Sequence, residues 1–235
     1  QSTMIYVGTS GYSNKEWKGS FYPEKLAAKD MLPYYASKLP AVELNNTFYR
    51  LPQPSMVESW KAQVPDNFRF SVKASQRITH FKRLKEAAAE TKYMLETVLA
   101  LDDRLGVVLY QLPPNMKKDI ERLETFLKEL PANPPAAFEF RHPTWFDDDV
   151  LQLLRNENRA LCVSDTDDLP VSRIDRTADW GYMRLRRVNY SPDDLREWSS
   201  RMKAQDWTHT FVFFKHEDEG TGPRLASEFI DLNRE

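Results

Sequence analysis

The chain has 235 residues, of which 41% are hydrophobic and 29% are charged. This composition is typical of a globular protein and excludes wholesale disorder. The 33 basic and 35 acidic residues give a formal net charge of −2, which argues against a general polyanion-binding protein. No run approaches the roughly 18 apolar residues that a membrane helix needs, so we expect a soluble protein with no membrane partner.

The chain has a single cysteine, Cys162. An internal disulfide and a multi-cysteine zinc site are therefore excluded. No signal peptide is visible, so we expect the reducing cytoplasm. Residues 1–3 precede Met4 and are interpreted as a cloning remnant, so the predicted domain covers residues 4–235.

Short apolar or alternating runs recur along the chain in the pattern of strands. Eight are predicted, at Met4–Val7, Ala41–Asn45, Phe68–Lys73, Gly106–Gln111, Ala136–Arg141, Ala160–Asp165, Gly181–Arg186 and Thr210–Lys215. Their spacing of roughly 29 residues is the size of one strand-plus-helix unit. Helical periodicity is clearest over residues 84–101, 117–130, 147–158 and 191–204, whereas residues 166–180 are too short and polar for a helix.

This alternation predicts an α/β fold, a single closed (β/α)8 TIM-barrel-like domain. An open doubly wound sheet is the alternative. The glycine-rich nucleotide-binding fingerprint that often accompanies such a sheet is absent from the sequence.

Several predicted strands carry charge on one face. Glu43 and Asn45 alternate with apolar residues, as do Glu139 and Arg141. Helices should cover the apolar faces, so we expect the charged faces to point into the barrel. A core lattice of ion pairs is the structural alternative, because unpaired buried charge is costly by several kcal/mol.

We favour a pocket at the carboxyl ends of the strands, where such barrels carry their chemistry. The expected pocket has five positive residues, Lys73, Arg141, Arg184, Arg186 and Lys215, and three negative ones, Glu43, Glu139 and Asp165. An excess of positive charge in a low-dielectric cleft favours an anionic ligand such as a phosphate or carboxylate.

Five stretches occur in order along the chain and together identify a resemblance. They are GTSGYSNKEWKGSFYPE (8–24), VELNNTFYRLP (42–52), FSVKASQRITH (70–80), LGVVLYQLPP (105–114) and EFRHPTW (139–145). The sequence resembles domain of unknown function 72, the YecE-like proteins. That resemblance implies a TIM-barrel-like fold over essentially the whole chain, and it implies no particular reaction.

The stretch from Glu139 to Trp145 has the densest chemistry. Glu139, Arg141 and His142 could supply an acid/base, an anion clamp and a proton shuttle at one strand end. The alternative is a structural Glu139–Arg141 pair, with His142 shaping the turn before Pro143. We expect the two side chains to lie about 6–7 Å apart along the strand, too far apart to require a tight pair.

Other segments admit two interpretations each. Gly8–Tyr12, which includes Ser10, could form an anion nest or a plain tight turn. The basic segment Arg77–Lys85 could contact a phosphate backbone or form a solvated loop. Aromatic loop residues such as Trp145 could stack on a ligand or cap the barrel.

We predict neither a metal nor a cofactor. A Mg²⁺ or Mn²⁺ site could in principle be built from Glu43, Glu139 and Asp165, with His142 or His216. No metal-binding spacing supports it, and neighbouring cations would oppose it. Cys162 lies mid-strand among apolar neighbours, where an inert thiol is expected.

The favoured function is an enzyme performing acid/base chemistry, of hydrolase, lyase or isomerase type, on a small anionic substrate. The proposed catalytic residues are Glu139, Glu43, Asp165 and His142. The proposed substrate-binding residues are Asn45, Lys73, Gln111, Arg141, Arg184, Lys215, Ser10 and Trp145, with Asn45 and Gln111 as orienting amides. The alternatives are a nucleic-acid-binding module and a non-catalytic scaffold.

Overall fold

A computed structural model describes residues 4–171 and 173–234, and the interpretation of residues 1–3 therefore lies outside the described residues. The strands are β1 Met4–Ser10, β2 Ala41–Leu44, β3 Arg69–Lys73, β4 Leu105–Gln111, β5 Ala136–Glu139, β6 Ala160–Leu161, β7 Val163–Asp165, β8 Gly181–Leu185 and β9 His209–Phe214. The α-helices are α1 Met31–Lys38, α2 Pro54–Ala62, α3 Ala88–Val98, α4 Ile120–Glu129, α5 Asp148–Asn156, α6 Pro192–Lys203 and α7 Thr221–Leu232.

All strand pairings are parallel, in the order β6-β5-β4-β3-β2-β1-β9-β8-β7. The two ends of this order, β6 and β7, are consecutive pieces of one segment on either side of Cys162. The first piece pairs with β5 and the second with β8, so the sheet curls into a nearly closed barrel. The predicted TIM-barrel-like fold is confirmed, with its sixth strand divided in two.

Apolar side chains form layers on both faces of this sheet. Outside the barrel, residues such as Val42, Phe70 and Phe138 pack into two clusters with the helices. Inside, a third cluster includes Leu109, Tyr182 and Phe213. The interior is therefore packed rather than hollow below the charged carboxyl-terminal end.

The predicted helices are present, with shifted bounds. The helix expected over residues 84–101 begins only at Ala88, after a π-helical turn over Arg77–Phe81. Leu84 and Glu86 have φ angles of 69° and 52°, a left-handed conformation that cannot start an α-helix. By contrast, α6 begins where the sequence indicates, because Ser191 and Asp194 form a capping box.

The segment between β7 and β8 contains no helix in its described part, as its polar composition indicates. Within the described ranges, none of the helices is both long and apolar enough to cross a membrane.

Candidate active site at the barrel mouth

The charged strand faces converge inside the barrel, as the alternation predicts. Arg184 of β8 lies at the centre, with a side chain that is 1% exposed. Its Nη2 lies 2.9 Å from Oε1 of Glu43, and its Nη1 lies 2.8 Å from Oε1 of Glu139. Both carboxylates are fully buried. One guanidinium thus bridges β2 and β5 across the barrel.

Glu43 is held by neutral donors as well as by charge. The Ser10 hydroxyl donates to Oε1 at 2.8 Å, and Nδ2 of Asn45 donates to the same oxygen at 2.9 Å. The Tyr182 hydroxyl donates to Oε2. Both oxygens of this carboxylate are therefore satisfied by the protein.

Glu139 is bound as tightly. Nε of Arg141 lies 2.7 Å from Oε2 of Glu139, and Sγ of Cys162 lies 3.7 Å from Oε1. The expectation of a wide Glu139–Arg141 spacing was wrong. β5 ends at Glu139, and the long arginine side chain beyond the strand end folds back onto the carboxylate.

These contacts keep both carboxylates ionised. Burial alone would raise the pKa of Glu139, but the positive charges of Arg184 and Arg141 outweigh it and hold the pKa far below its usual value. For Glu43, the charge of Arg184 and the hydrogen bond from Tyr182 likewise overcome burial and lower the pKa. We name the Glu43–Arg184–Glu139–Arg141 network the charge lattice.

Three cations around the lattice have no carboxylate partner within 4 Å among the described residues: Lys73, Arg186 and Lys215. All three are partly buried. We call them the free cations. Arg141 also offers hydrogen-bond donors to a ligand, because among the described residues its guanidinium bonds Glu139 only through Nε.

Lys73 occupies an unusual environment for an ammonium group. Its Nζ lies 4.3 Å from the ring centroid of Phe48. The His80 ring packs edge-on against the same phenyl ring, with centroids 4.8 Å apart. Burial, and then the positive charge of Arg184, lower the pKa of Lys73 to about 8, and the two lattice glutamates only partly offset this.

A cavity of about 360 Å³ opens beside the lattice, lined by Thr166, Arg186, Lys215 and Glu217. Nε of Arg186 is buried without a hydrogen-bond partner among the described residues. Oε1 of Gln111, on the strand next to Glu139, is equally without a partner there. The mouth thus combines excess positive charge with polar atoms that the described residues leave unsatisfied.

Asp165 lies outside this group, contrary to our expectation. Its Oδ2 lies 2.6 Å from Nε of Arg187 and 2.9 Å from the Tyr190 hydroxyl, and its Oδ1 accepts from the N–H of Val171. Asp165 has the same strand parity as Val163, which packs in an outer apolar cluster. The alternation should therefore have excluded it from the interior.

His142 and Trp145 have structural contacts. His142 Nδ1 accepts the backbone N–H of Thr144 at 3.2 Å and so caps the short turn Pro143–Trp145. Trp145 is buried, stacks on Phe140 with centroids 4.6 Å apart, and donates from Nε1 to the Met116 carbonyl. Neither side chain joins the charge lattice.

The loop after β1 resembles a turn rather than an anion nest. Gly11 has a φ of 81° and donates its N–H to the Glu43 carbonyl at 2.8 Å. The N–H of Thr9 is bonded to the Tyr35 hydroxyl. Of the predicted residues in this loop, Ser10 contributes through its hydroxyl contact with Glu43.

Sequence reasoning missed Tyr182. It interpreted Cys162 as an inert thiol, and it placed His80 in the basic segment and Phe48 among the aromatic loop residues without locating either beside Lys73. Tyr182 and Cys162 have the inward parity of their strands, so the alternation could have identified them. Phe48 and His80 lie in irregular turns, where no periodicity indicates orientation. Among the described residues, no group of three His, Cys, Asp or Glu side chains could hold a metal ion.

The parallel barrel with charged residues at its carboxyl-terminal end defines a TIM-barrel-like protein. Residues 6–235 match the family described as "Protein of unknown function DUF72", and the chain belongs to this family. The resemblance inferred from the sequence motifs is thereby confirmed.

Relatives agree with this assignment over the whole chain. The UPF0759 protein YunF of Bacillus subtilis is 32% identical over 269 residues, covering 97% of this chain and 94% of YunF. A DUF72 family protein of Thermotoga maritima has a crystal structure that matches with a TM-score of 0.85 at 28% identity, covering 99% of this chain and 100% of that one. A second, from Enterococcus faecalis, matches with a TM-score of 0.80 at 20% identity, covering 99% of this chain and 98% of that one, which shows the shared fold.

Proposed function

We propose that this protein is an enzyme that binds a small anionic substrate at the barrel mouth and transfers a proton to or from it. The observation that carries the proposal is the set of free cations Lys73, Arg186 and Lys215, which have no carboxylate partner among the described residues. Keeping unpaired charge partly buried is unfavourable, and an incoming phosphate or carboxylate would relieve it.

The charge lattice fits a supporting role in this proposal. Glu43 and Glu139 were the acid/base residues expected from the sequence. Both are buried, fully bonded and strongly favoured in the ionised form. Such a carboxylate is a poor proton carrier near neutral pH, because its pKa lies far from the working range.

Lys73 is the better proton carrier. Its pKa of about 8 allows both protonation states to be populated near neutral pH. It lies at the carboxyl end of β3, where barrel enzymes place reacting groups. Gln111, whose buried amide oxygen has no partner among the residues that the structure describes, would orient a donor group of the substrate.

Calorimetry with inorganic phosphate tests the binding step. Replacing Lys73 or Arg186 by methionine should weaken the affinity by about 10- to 150-fold, or about 1.5–3 kcal/mol, since each would remove one charge-assisted interaction. Lys128→Met is the matched control, because Lys128 is exposed on α4 and pairs with Glu124. Unchanged affinity in both mouth variants would refute the proposed site.

A second candidate function is binding of single-stranded nucleic acid beside the mouth. A groove of about 550 Å³ is lined by Tyr49, Arg50, Arg77 and Tyr93, among others. The two tyrosines are 73% and 65% exposed. Exposed aromatic rings beside guanidinium groups are the features on which bases stack and phosphates bind.

Retention on immobilised single-stranded DNA over a salt gradient separates the two candidates. Nucleic-acid binding predicts retention that falls steeply with salt and is weakened by Arg77→Met but unaffected by Lys73→Met. Flow-through at low salt, together with phosphate binding at the mouth, would favour the enzyme.

A further inference from the structure

We propose that the Lys73 amine forms an imine with the carbonyl group of an anionic aldehyde or ketone. This inference deepens the proposed function, because it rests on anion binding at the same mouth. It assigns to Lys73 a covalent role that acid/base chemistry alone does not require.

Lys73 has no counter-charge within ion-pair distance among the described residues. A lysine that serves only as a fixed positive charge is commonly stabilised by a nearby carboxylate. Both buried glutamates of the mouth instead bond to Arg184, and Glu139 also bonds to Arg141. Among the described residues, no carboxylate lies within 4 Å of Lys73 Nζ.

The immediate surroundings of Nζ also favour a nucleophilic amine. The amine lies over the Phe48 ring, and Lys73 is only partly exposed. Desolvation and neighbouring cations are the two ways in which proteins activate a lysine as a nucleophile. The lowered pKa, about 8, agrees with this geometry, since more of the amine is then unprotonated at neutral pH.

The barrel mouth can also hold the anionic part of the ligand. Arg186 and Lys215 line the cavity beside the charge lattice. Burial lowers the pKa of both groups, and nearby positive charge adds to this, from Arg184 on Arg186 and from Arg186 and Arg184 on Lys215. Lys73 does not line that cavity but lies at the end of β3, across the charge lattice, so a ligand held by these two residues must reach over the lattice to the Lys73 amine. A carbonyl compound carrying a carboxylate or a phosphate fits this combination.

The step balances without a further reactant. The neutral amine, having released its proton to solvent, adds its lone pair to the carbonyl carbon, and the carbonyl oxygen takes up a proton as the nitrogen gives one up. The resulting carbinolamine loses water as the nitrogen–carbon double bond forms. The net change is one amine and one carbonyl giving one imine and one water.

Borohydride trapping tests the inference on the full chain. The protein is incubated with pyruvate or with dihydroxyacetone phosphate, reduced with sodium borohydride, digested and mapped by mass spectrometry. Hydride reduces the imine to a stable secondary amine. We expect labelling of Lys73 to exceed that of exposed Lys128 by about tenfold or more, because each unit of pKa lowering exposes about ten times more free amine. The two probes distinguish a carboxylate from a phosphate as the anionic group.

Two controls make the result decisive. Arg186→Met should reduce labelling by the anionic probes far more than labelling by acetone, a neutral ketone. Inorganic phosphate should protect Lys73 in the wild-type protein. Phosphate binding without preferential labelling of Lys73 by either probe would overturn the imine but support the anion-binding site. If the protein neither binds phosphate nor is labelled at Lys73, both the anion-binding site and the imine are overturned.

Discussion

Arg184 and Arg186 lie two residues apart at the end of β8, yet their environments are opposite. Arg184 is almost fully buried and bonds to Glu43 and Glu139. Arg186 follows the strand end, lines the cavity, and has a buried Nε without a partner among the described residues. The two positions carry the same side chain.

The difference arises from the supply of carboxylates. The interior provides Glu43 and Glu139, and the charge lattice uses both. The cavity adds one carboxylate, Glu217, which makes no ion pair within 4 Å among the described residues, so the two cations that line the cavity still outnumber it. Paired charge would fix the shape of the barrel, whereas excess charge would bind a ligand.

The largest expected loss of stability is at Arg184, the paired arginine. Arg184→Met leaves two buried carboxylates without their shared counter-charge, so we expect the free energy of unfolding to fall by about 3–5 kcal/mol. Chemical denaturation measures it. Arg186→Met is the matched control and should change stability by less than about 1 kcal/mol. Similar losses in the two variants would remove the distinction between them.

Glu139→Gln should destabilise the protein by about 2–3 kcal/mol, because the amide cannot match the charge of Arg184 and Arg141. The pKa of Glu139 is lowered in the folded state, so its stabilisation is present above the unfolded pKa of about 4.3 and is lost as the pH falls further. The wild-type protein should therefore lose more stability below pH ~4.3 than the variant does. Parallel pH profiles in denaturation experiments would contradict this assignment.

Lys73→Met tests, through its effect on the free energy of unfolding, whether Lys73 is an unpaired cation. The pKa of Lys73 is lowered to about 8 in the folded state, so the folded form binds its proton less well than the unfolded chain. We expect the variant to be more stable by about 1–2 kcal/mol at pH 7, a value reduced for the partial exposure of the side chain. As the pH rises from 8 towards 10.5, the difference in the free energy of unfolding between the variant and the wild-type protein should disappear. A variant less stable than wild type at pH 7 would count against an unpaired lysine.

The smallest effect is expected at His142. Its ring accepts a backbone N–H at the start of a short turn, so His142→Ala should cost about 0.5–1 kcal/mol of stability. Phosphate affinity, measured by calorimetry, should stay at the wild-type value. A tenfold loss of affinity would return His142 to the binding site.

The strands could be predicted from the sequence because their period-two patterns are long and regular. Charged residues opposite Val42, Phe70 and Phe138 indicate the inward face without any knowledge of the fold. Asp165 shows the limit of this reasoning, since its own parity excluded it while its position at a strand end suggested the pocket. Its contacts with Arg187 and Tyr190 are made across an irregular loop, for which no pattern exists.

The pairing of charges was harder to predict than their direction. Sequence spacing along β5 suggested that Glu139 and Arg141 stand apart, but the flexible arginine side chain closes that distance. Likewise, the central place of Arg184 depends on β8 facing both β2 and β5 across the barrel. Such contacts between distant strands follow from closure of the barrel and not from local sequence.

The most direct measurement of the central claim is the pKa of Lys73 in the folded protein. Carbon-13-labelled lysine permits titration by NMR, and Lys73→Met assigns the resonance. If Lys73 is an excess cation beside a charge lattice whose carboxylates are all paired, its pKa should be about 8. This pKa should rise when phosphate binds and supplies a negative charge. A pKa near the ordinary lysine value of about 10.4, unchanged by phosphate, would contradict the account.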